Sequence, residues 1–323
     1  MSGPAALPEH GWRVSVPATA ANLGAGFDCL ALALELRLTV EVTGGPEPLT
    51  LELPADAPAA WADPATNLLA QAYAAGCAAA GAASPTGRLR VTAPIPLARG
   101  LGSSAAAVVA GLAAAAAVHR HRPDPVSLLE LATGFEGHPD NVAAALLGGC
   151  ALTVRGGDGT LLARRIPVPR GLGAVLFVPD RELETRAARA VLPRSVGLAE
   201  AVFNSGRCAL LVHALCSGEL DCLGWAMEDR WHQPARTALL PWLPALIAAA
   251  RAAGAYGACL SGAGPTVLAL TPTRPGSRQA VGRALAAAAA RAGLAGRVML
   301  LPLAAHGLLR EPLAAPPVPE GRG

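Results

Sequence analysis

Lysine is missing from this chain of 323 residues, so all 26 of its long basic side chains are arginine. That absence excludes the GxxxxGK[ST] nucleotide loop, whose lysine reaches the phosphates. Charge of either sign is sparse, at 15% of residues, and nets only +3 with no basic run. Such a balance argues against a nucleic-acid partner or an anionic membrane surface. Long apolar runs are lacking too: uncharged stretches such as Ala105–Val118 fall short of the ~20 residues that a membrane span needs. The N-terminus has no charged segment leading into an apolar one, so no secretory leader is expected and the reading is cytoplasmic. The seven cysteines form no CxxC pair and hold no ligand spacing to a histidine. They read as small buried hydrophobes of a reducing compartment, not as a disulfide framework.

What the chain does have is apolar mass: 52% of its residues, much of it alanine, beside 36 glycines and 29 prolines. The length admits one large or two medium domains with a sizeable core. Residues 1–11 read as a loose leader, Arg13–Pro17 as a short strand, and Ala18–Asp28 as a turn before an apolar region ending at Val42. A Pro/Ala loop (Pro54–Pro64) precedes a helix over Ala65–Ala80, and Leu89–Val91 is a strand. Pro123–Leu147 holds two helical stretches, interrupted at Gly134 and at Gly137–Pro139. Strands at Cys150–Val154 and Ala174–Val178 flank the turn Gly156–Gly159, and the Gly/Pro-rich stretch 155–172 suggests a domain boundary. Beyond it, helices at Leu198–Cys216, Leu220–Arg230, Pro244–Ala253 and Ser277–Ala292 surround strands within Ala255–Leu270 and Val298–Pro302. The alternation implies an α+β class.

The densest chemical signal is Pro94-Ile95-Pro96-Leu97-Ala98-Arg99-Gly100-Leu101-Gly102-Ser103-Ser104-Ala105-Ala106, between a β-prone run and an Ala-rich helix. Small side chains let several backbone N–H groups converge at a helix N-terminus, where the dipole favours phosphate. Without lysine, such a loop must draw further charge from a metal ion, from arginine, or from backbone dipoles alone. Two other segments carry glycine turns after apolar runs: Val14–Asp28, with Asn22 and Asp28 flanking its turn, and Ala258–Leu268, with Gly262 and Gly264.

Together, in this order, the three segments resemble the GHMP small-molecule kinases, whose central motif is P-x-x-x-G-L-G-S-S-A. Within that superfamily, Glu136-Gly137-His138-Pro139-Asp140-Asn141, the run Thr185–Pro193 and His232-Gln233-Pro234-Ala235-Arg236 are similar to the homoserine kinases. The N-terminal motif is close to that family's PATSANLGPGFD. The chain departs from the pattern at Ala20, Ala25 and Ala144, where the family more often has Ser, Pro and Pro.

The resemblance implies a two-domain GHMP kinase fold: an N-terminal ribosomal protein S5 domain 2-like part over 12–165 and a C-terminal ferredoxin-like α/β sandwich over 170–305. A flexible tail would follow over 306–323. It implies transfer of a phosphoryl group from ATP, with Mg2+, to the hydroxyl of L-homoserine in threonine biosynthesis, and a possible homodimer. The nucleotide would lie against Asn67 and the loop Pro96, Leu97, Ala98, Arg99, Gly100, Leu101, Gly102, Ser103, Ser104 and Ala105. Ser104 and Glu136 would hold the metal, with Glu130 as the alternative carboxylate. Asn22, Asp28, His138, Asn141, Arg189, Arg236 and Gly262 would bind the amino-acid substrate, since a zwitterion needs a carboxylate for its ammonium and guanidinium forks for its carboxylate. Asp140 is the candidate general base, unless proton loss goes to the phosphate itself, and Arg189 also joins the catalytic set. Rival readings are another GHMP acceptor and a nucleotide-binding regulator without turnover.

Overall fold

The computed structural model describes residues 11–55, 57–82 and 84–314. The expected leader falls almost wholly outside them, as does the end of the expected tail. Strands β1 (Trp12–Asn22) and β2 (Gly26–Pro48) form a long antiparallel hairpin closed by the Asn22↔Gly26 pair. The segment Ala18–Asn22 is therefore strand and not turn. Its residues are small and buried, and they pair with Leu34 through Ala31 on β2 before the chain reverses. Asn22, Leu23 and Gly24 at the reversal all have positive φ (72°, 48° and 82°), so the hairpin closes through consecutive left-handed residues. The departures at Ala20, Ala25 and Ala144 are all buried, filled by a methyl and closely surrounded.

The same sheet takes up β3 (Thr50–Glu52), β4 (Thr86–Thr92), β5 (Cys150–Arg155) and β6 (Leu161–Ile166). Among the described residues, only β3 and β4 pair in parallel. Four helices cover it: α1 (Leu68–Ala79), α2 (Ser103–Val118), α3 (Pro125–Glu136) and α4 (Asp140–Leu147). Twelve of the sixteen residues of α2 are buried. That is the mark of a helix apolar on every side and enclosed by its neighbours. Gly134 does not interrupt α3, which runs on to Glu136 and ends at left-handed Gly137.

A second, four-stranded sheet holds β7 (Leu172–Pro179), β8 (Gly257–Leu260), β9 (Val267–Pro272) and β10 (Gly296–Leu301) in the order β10-β7-β9-β8, every pair antiparallel. That order is the ferredoxin-like one. Its helices are α9 (Leu243–Ala252) and α10 (Ser277–Arg291), which form a separate apolar core with Val175, Phe177 and Leu260. Between β7 and α9 lie α5 (Thr185–Ala190), α6 (Leu198–Ser217), α7 (Leu223–Ala226) and α8 (His232–Arg236). The expected helix over Leu220–Arg230 shrinks to one 3-10 turn plus the single turn of α7.

After β10 the chain returns to the first sheet. Ala304 N–H donates to Ala33 (3.0 Å), and β11 (Leu309–Pro312) pairs with β1 from Trp12 to Ser15. The expected flexible tail over 306–323 is thus corrected for 309–312: strand pairing satisfies its backbone despite the prolines around it.

Candidate active site

The N-cap of α2 is Gly102 at φ 64°, and it offers no side-chain capping bond. Ser103 and Ser104 therefore lie inside the first turn, and no side chain competes for the open N–H groups there. Side chains would also not fit. A Cβ on Gly102 would run into Thr19 Oγ1, and one on Gly100 (φ 72°) into the Ser261 carbonyl. The Ser261-Gly262 turn docks on the loop from the second sheet: Ser261 Oγ donates to the Gly100 carbonyl (2.6 Å), and Gly262 N–H donates to the Ala21 carbonyl (3.0 Å).

These contacts frame a cavity of about 430 Å³ that runs from Trp61 and Asn67, past every residue from Pro96 to Ser104, to Asp28, Glu136, His138, Asp140, Asn141 and Gly262. Exposed Ser104 donates its hydroxyl to Glu136 Oε2 at 2.9 Å. Burial raises the Glu136 carboxyl above the usual range, partly opposed by that hydrogen bond and by His138. Glu130 instead lines a separate surface hollow with Arg155 and Asp158, so Glu136 is the carboxylate at the loop.

Asp140 is buried, and its Oδ1 meets His138 Nδ1 (3.0 Å), Asn141 N–H (2.7 Å) and Asn141 Nδ2 (3.3 Å). The hydrogen bond to Asp140 is the main cause raising the His138 pKa. Asn141 Oδ1 accepts from Thr19 Oγ1 (2.7 Å). Asp140 thus orients its two neighbours.

At the far end Arg189, on α5, holds Asp28 with both guanidinium nitrogens (3.0 and 2.6 Å). Asp28 is itself left-handed (φ 55°), and its N–H donates to Asn22 Oδ1 (3.1 Å). The other end of the Asn22 amide donates to the Gly262 carbonyl (2.9 Å), so Asn22 clamps hairpin to turn. Arg236 lies behind, 1% exposed, donating to the carbonyls of Ala188 (3.2 Å) and Gly262 (2.9 Å) and to His232 Nδ1 (2.9 Å). Burial, and secondarily the Arg189 charge, lowers its pKa to about 10. Both cations lie near the Phe27 ring, 5.5 and 5.6 Å from its centre.

Two families match the sequence directly: GHMP kinases N terminal domain over residues 67–149 and GHMP kinases C terminal over residues 211–291. A homoserine kinase of Moorella thermoacetica is 42% identical over 296 residues, spanning 91% of this chain and 98% of that protein. The chain belongs to the homoserine kinase family of the GHMP kinases. A second homoserine kinase, from Synechocystis sp., is 46% identical over 262 residues, 80% of this chain and 85% of its own. The crystal structure of homoserine kinase from Cytophaga hutchinsonii matches with a TM-score of 0.81 at 28% identity, covering 96% of this chain and 99% of that one. The fold extends further, to the mevalonate kinase of L. major, with a TM-score of 0.62 at 17% identity, covering 93% and 98%.

Against the family's motif positions, three expectations change. The Arg99 guanidinium donates to the Leu97 carbonyl within the loop (3.0 Å) and to the Pro179 and Asp180 carbonyls, and it pairs with Glu182, so it ties the loop to the end of β7. The Ala105 methyl is buried in the core and does not line the cavity. Asn67 touches the cavity but spends its amide locally: Oδ1 caps α1 through Leu69 and Ala70, and Nδ2 donates to the Trp61 carbonyl (2.9 Å). Trp61 went unread in the sequence, and Thr185 at the start of α5 was quoted in the run Thr185–Pro193 without a site role; both line the cavity. Asn67 six residues after a tryptophan is the signal that could have found the first.

Proposed function

We propose that the chain transfers the γ-phosphoryl group of ATP to the side-chain hydroxyl of L-homoserine, giving O-phospho-L-homoserine and ADP. The observation that carries this reading is a single cavity that joins the α2 phosphate loop to Asp28, which Arg189 holds from α5. One end suits a triphosphate, the other a zwitterionic amino acid, and the acceptor hydroxyl falls between them beside His138 and Asn141. Asp28 takes the ammonium group and Arg189 the carboxylate, so substrate exchanges one existing ion pair for two. Arg236, expected at the carboxylate, is buried outside the cavity lining and instead holds Gly262 and α5 in place. Trp61, held by Asn67, offers its ring as a stacking face for adenine.

Ser104 Oγ and Glu136 Oε2, 2.9 Å apart, are hard oxygen donors, and Glu136 is a half-buried acid beside no arginine or lysine in any ion pair of the described residues. That donor set fits Mg2+, which takes few protein ligands and completes its shell with water and phosphate oxygens. When bound, the ion would neutralise charge on the transferring phosphate. The chain's own residues supply position: loop N–H groups orient the phosphates, and His138 and Asn141, fixed by Asp140, aim the hydroxyl at phosphorus. Asp140 then acts through its neighbours, and the hydroxyl proton leaves to a phosphate oxygen.

The test is ADP release from ATP and Mg2+ with L-homoserine, compared with mevalonate, galactose and L-serine. Turnover confined to L-homoserine supports the reading. Turnover with another acceptor keeps the kinase and removes the pocket assignment, and ATP binding without turnover favours a regulator.

A further inference from the structure

A second cavity, of about 1130 Å³, lies at the opposite ends of α2 and α4 from the phosphate loop. The sixteen residues of α2 set the two cavities about 24 Å apart along that helix. Its walls are apolar and open to solvent: Val126, Leu147 and Leu162 line it and are 43%, 36% and 44% exposed. Exposed apolar side chains gathered on one concave surface point to a binding site more than scattered ones do.

Its polar groups are of one sign: Arg120, His121, Arg122, Arg164 and Arg310 line it, and no acidic residue does among the described residues. None of those four arginines joins an ion pair among the described residues. The neighbouring carboxylates are turned to other work. Asp124 caps α3 through Val126 and Ser127, and Glu311 sits opposite Arg13 across the β1–β11 ladder. Arg120 also stands just past the end of α2 at φ 53°, a left-handed position where glycine is the unstrained choice. The chain has a cation there at a conformational cost.

We propose that this cavity binds an amphipathic small-molecule anion: an apolar body seated on Val126, Leu147 and Leu162, with a carboxylate, sulfonate or phosphate head among the arginines. The open but concave hollow seats a single small molecule, so the proposed ligand is one free in solution and not a lipid of a membrane surface.

The probe is 1-anilinonaphthalene-8-sulfonate, with N-phenyl-1-naphthylamine as the same apolar body lacking the anion. Both are titrated by fluorescence against the full chain saturated with ADP, so that the nucleotide cavity is filled. ADP binding, scored separately by calorimetry, bears on the kinase reading alone. One sulfonate probe per chain is expected to remain under ADP, at least tenfold tighter than the uncharged body. Arg120→Gly, which removes the cation and relieves the left-handed strain, should weaken the sulfonate probe severalfold with an unchanged or higher Tm. Combined with Arg164→Ala and Arg310→Ala it should weaken that probe tenfold or more and leave the uncharged one unaffected. Full displacement by ADP, equal affinity for the two probes, or no effect of the arginine variants overturns the proposal. Co-sedimentation with phosphatidylglycerol vesicles overturns the small-molecule assignment.

Discussion

Glu136 and Trp61 show how differently two residues of one cavity can be read. Glu136 stands in a dense motif, and the Ser104–Glu136 hydrogen bond separates it from Glu130, which spacing alone left open. Glu136→Gln keeps the shape and hydrogen bonding but removes the charge, so kcat should fall roughly 10²- to 10³-fold with the Tm nearly unchanged. Glu130→Gln should turn over like the parent, and equal losses in both variants would contradict the geometry. Trp61 was passed over in the sequence, because it stands inside the Pro/Ala loop 54–64 and only its six-residue spacing to Asn67 marks it. Trp61→Ala should raise the KM for ATP roughly ten- to hundredfold, the worth of one stacked base, with kcat retained, and Trp61→Phe should recover most of it. Steady-state kinetics at varied ATP decides this. Asn67 was legible as a site residue, yet its contribution is to cap α1 and fix Trp61, a role only coordinates reveal.

Among the elements, α2 was readable to its C-terminal end at Val118 because small residues leave few alternatives, but it begins at Ser103, two residues before the Ala105 that the sequence suggested. The Gly102 N-cap shows why: it brings Thr19 and Asn141 to the backbone, and Thr19 Oγ1 donates to Asn141 Oδ1. Gly102→Ala places a methyl against Thr19 and forces a left-handed alanine. It should destabilise the fold by more than about 1 kcal/mol and depress kcat/KM further than Ser103→Ala does. Denaturant melts and kinetics on both variants measure the two effects. Strand β6 went unread for an equally local reason. Its buried residues are Leu161 and Ile166, and Arg164 and Arg165 between them break the alternation that marks a half-buried strand. The extent of β1 was misjudged because Pro17 looked like an end. It is instead the last residue before a register shift, and pairing continues beyond it to Asn22.

At the scale of the whole molecule, the catalytic frame depends on contacts between residues more than two hundred positions apart, which no local pattern encodes. His232 is the clearest case. Nε2 donates to the Gly24 carbonyl at the hairpin turn (2.8 Å), and Nδ1 accepts from Arg236 (2.9 Å), which in turn reaches Gly262. Each ring nitrogen therefore has the role of a neutral imidazole; a proton on Nδ1 would face the guanidinium N–H. Burial, assisted by Arg236, lowers the His232 pKa to about 4, although Asp229 Oδ2 at 3.5 Å and the Gly24 carbonyl pull the other way. In the unfolded chain the same group titrates near 6.5, so unfolded molecules bind the extra proton first. Stability from this residue is complete above pH 6.5 and is lost as the pH falls toward 4, at no more than about 1.4 kcal/mol per pH unit. His232→Gln keeps a donor for Gly24 and cannot titrate. It should be less stable than the parent at pH 8 by about 1 kcal/mol, the worth of an imperfect hydrogen bond. Its Tm should also fall less steeply between pH 6.5 and 4, so the two curves converge as acid is added. Parallel curves across that window would mean that His232 already carries its proton in the folded state, and that the bond from Arg236 is not the one holding hairpin and glycine turn together.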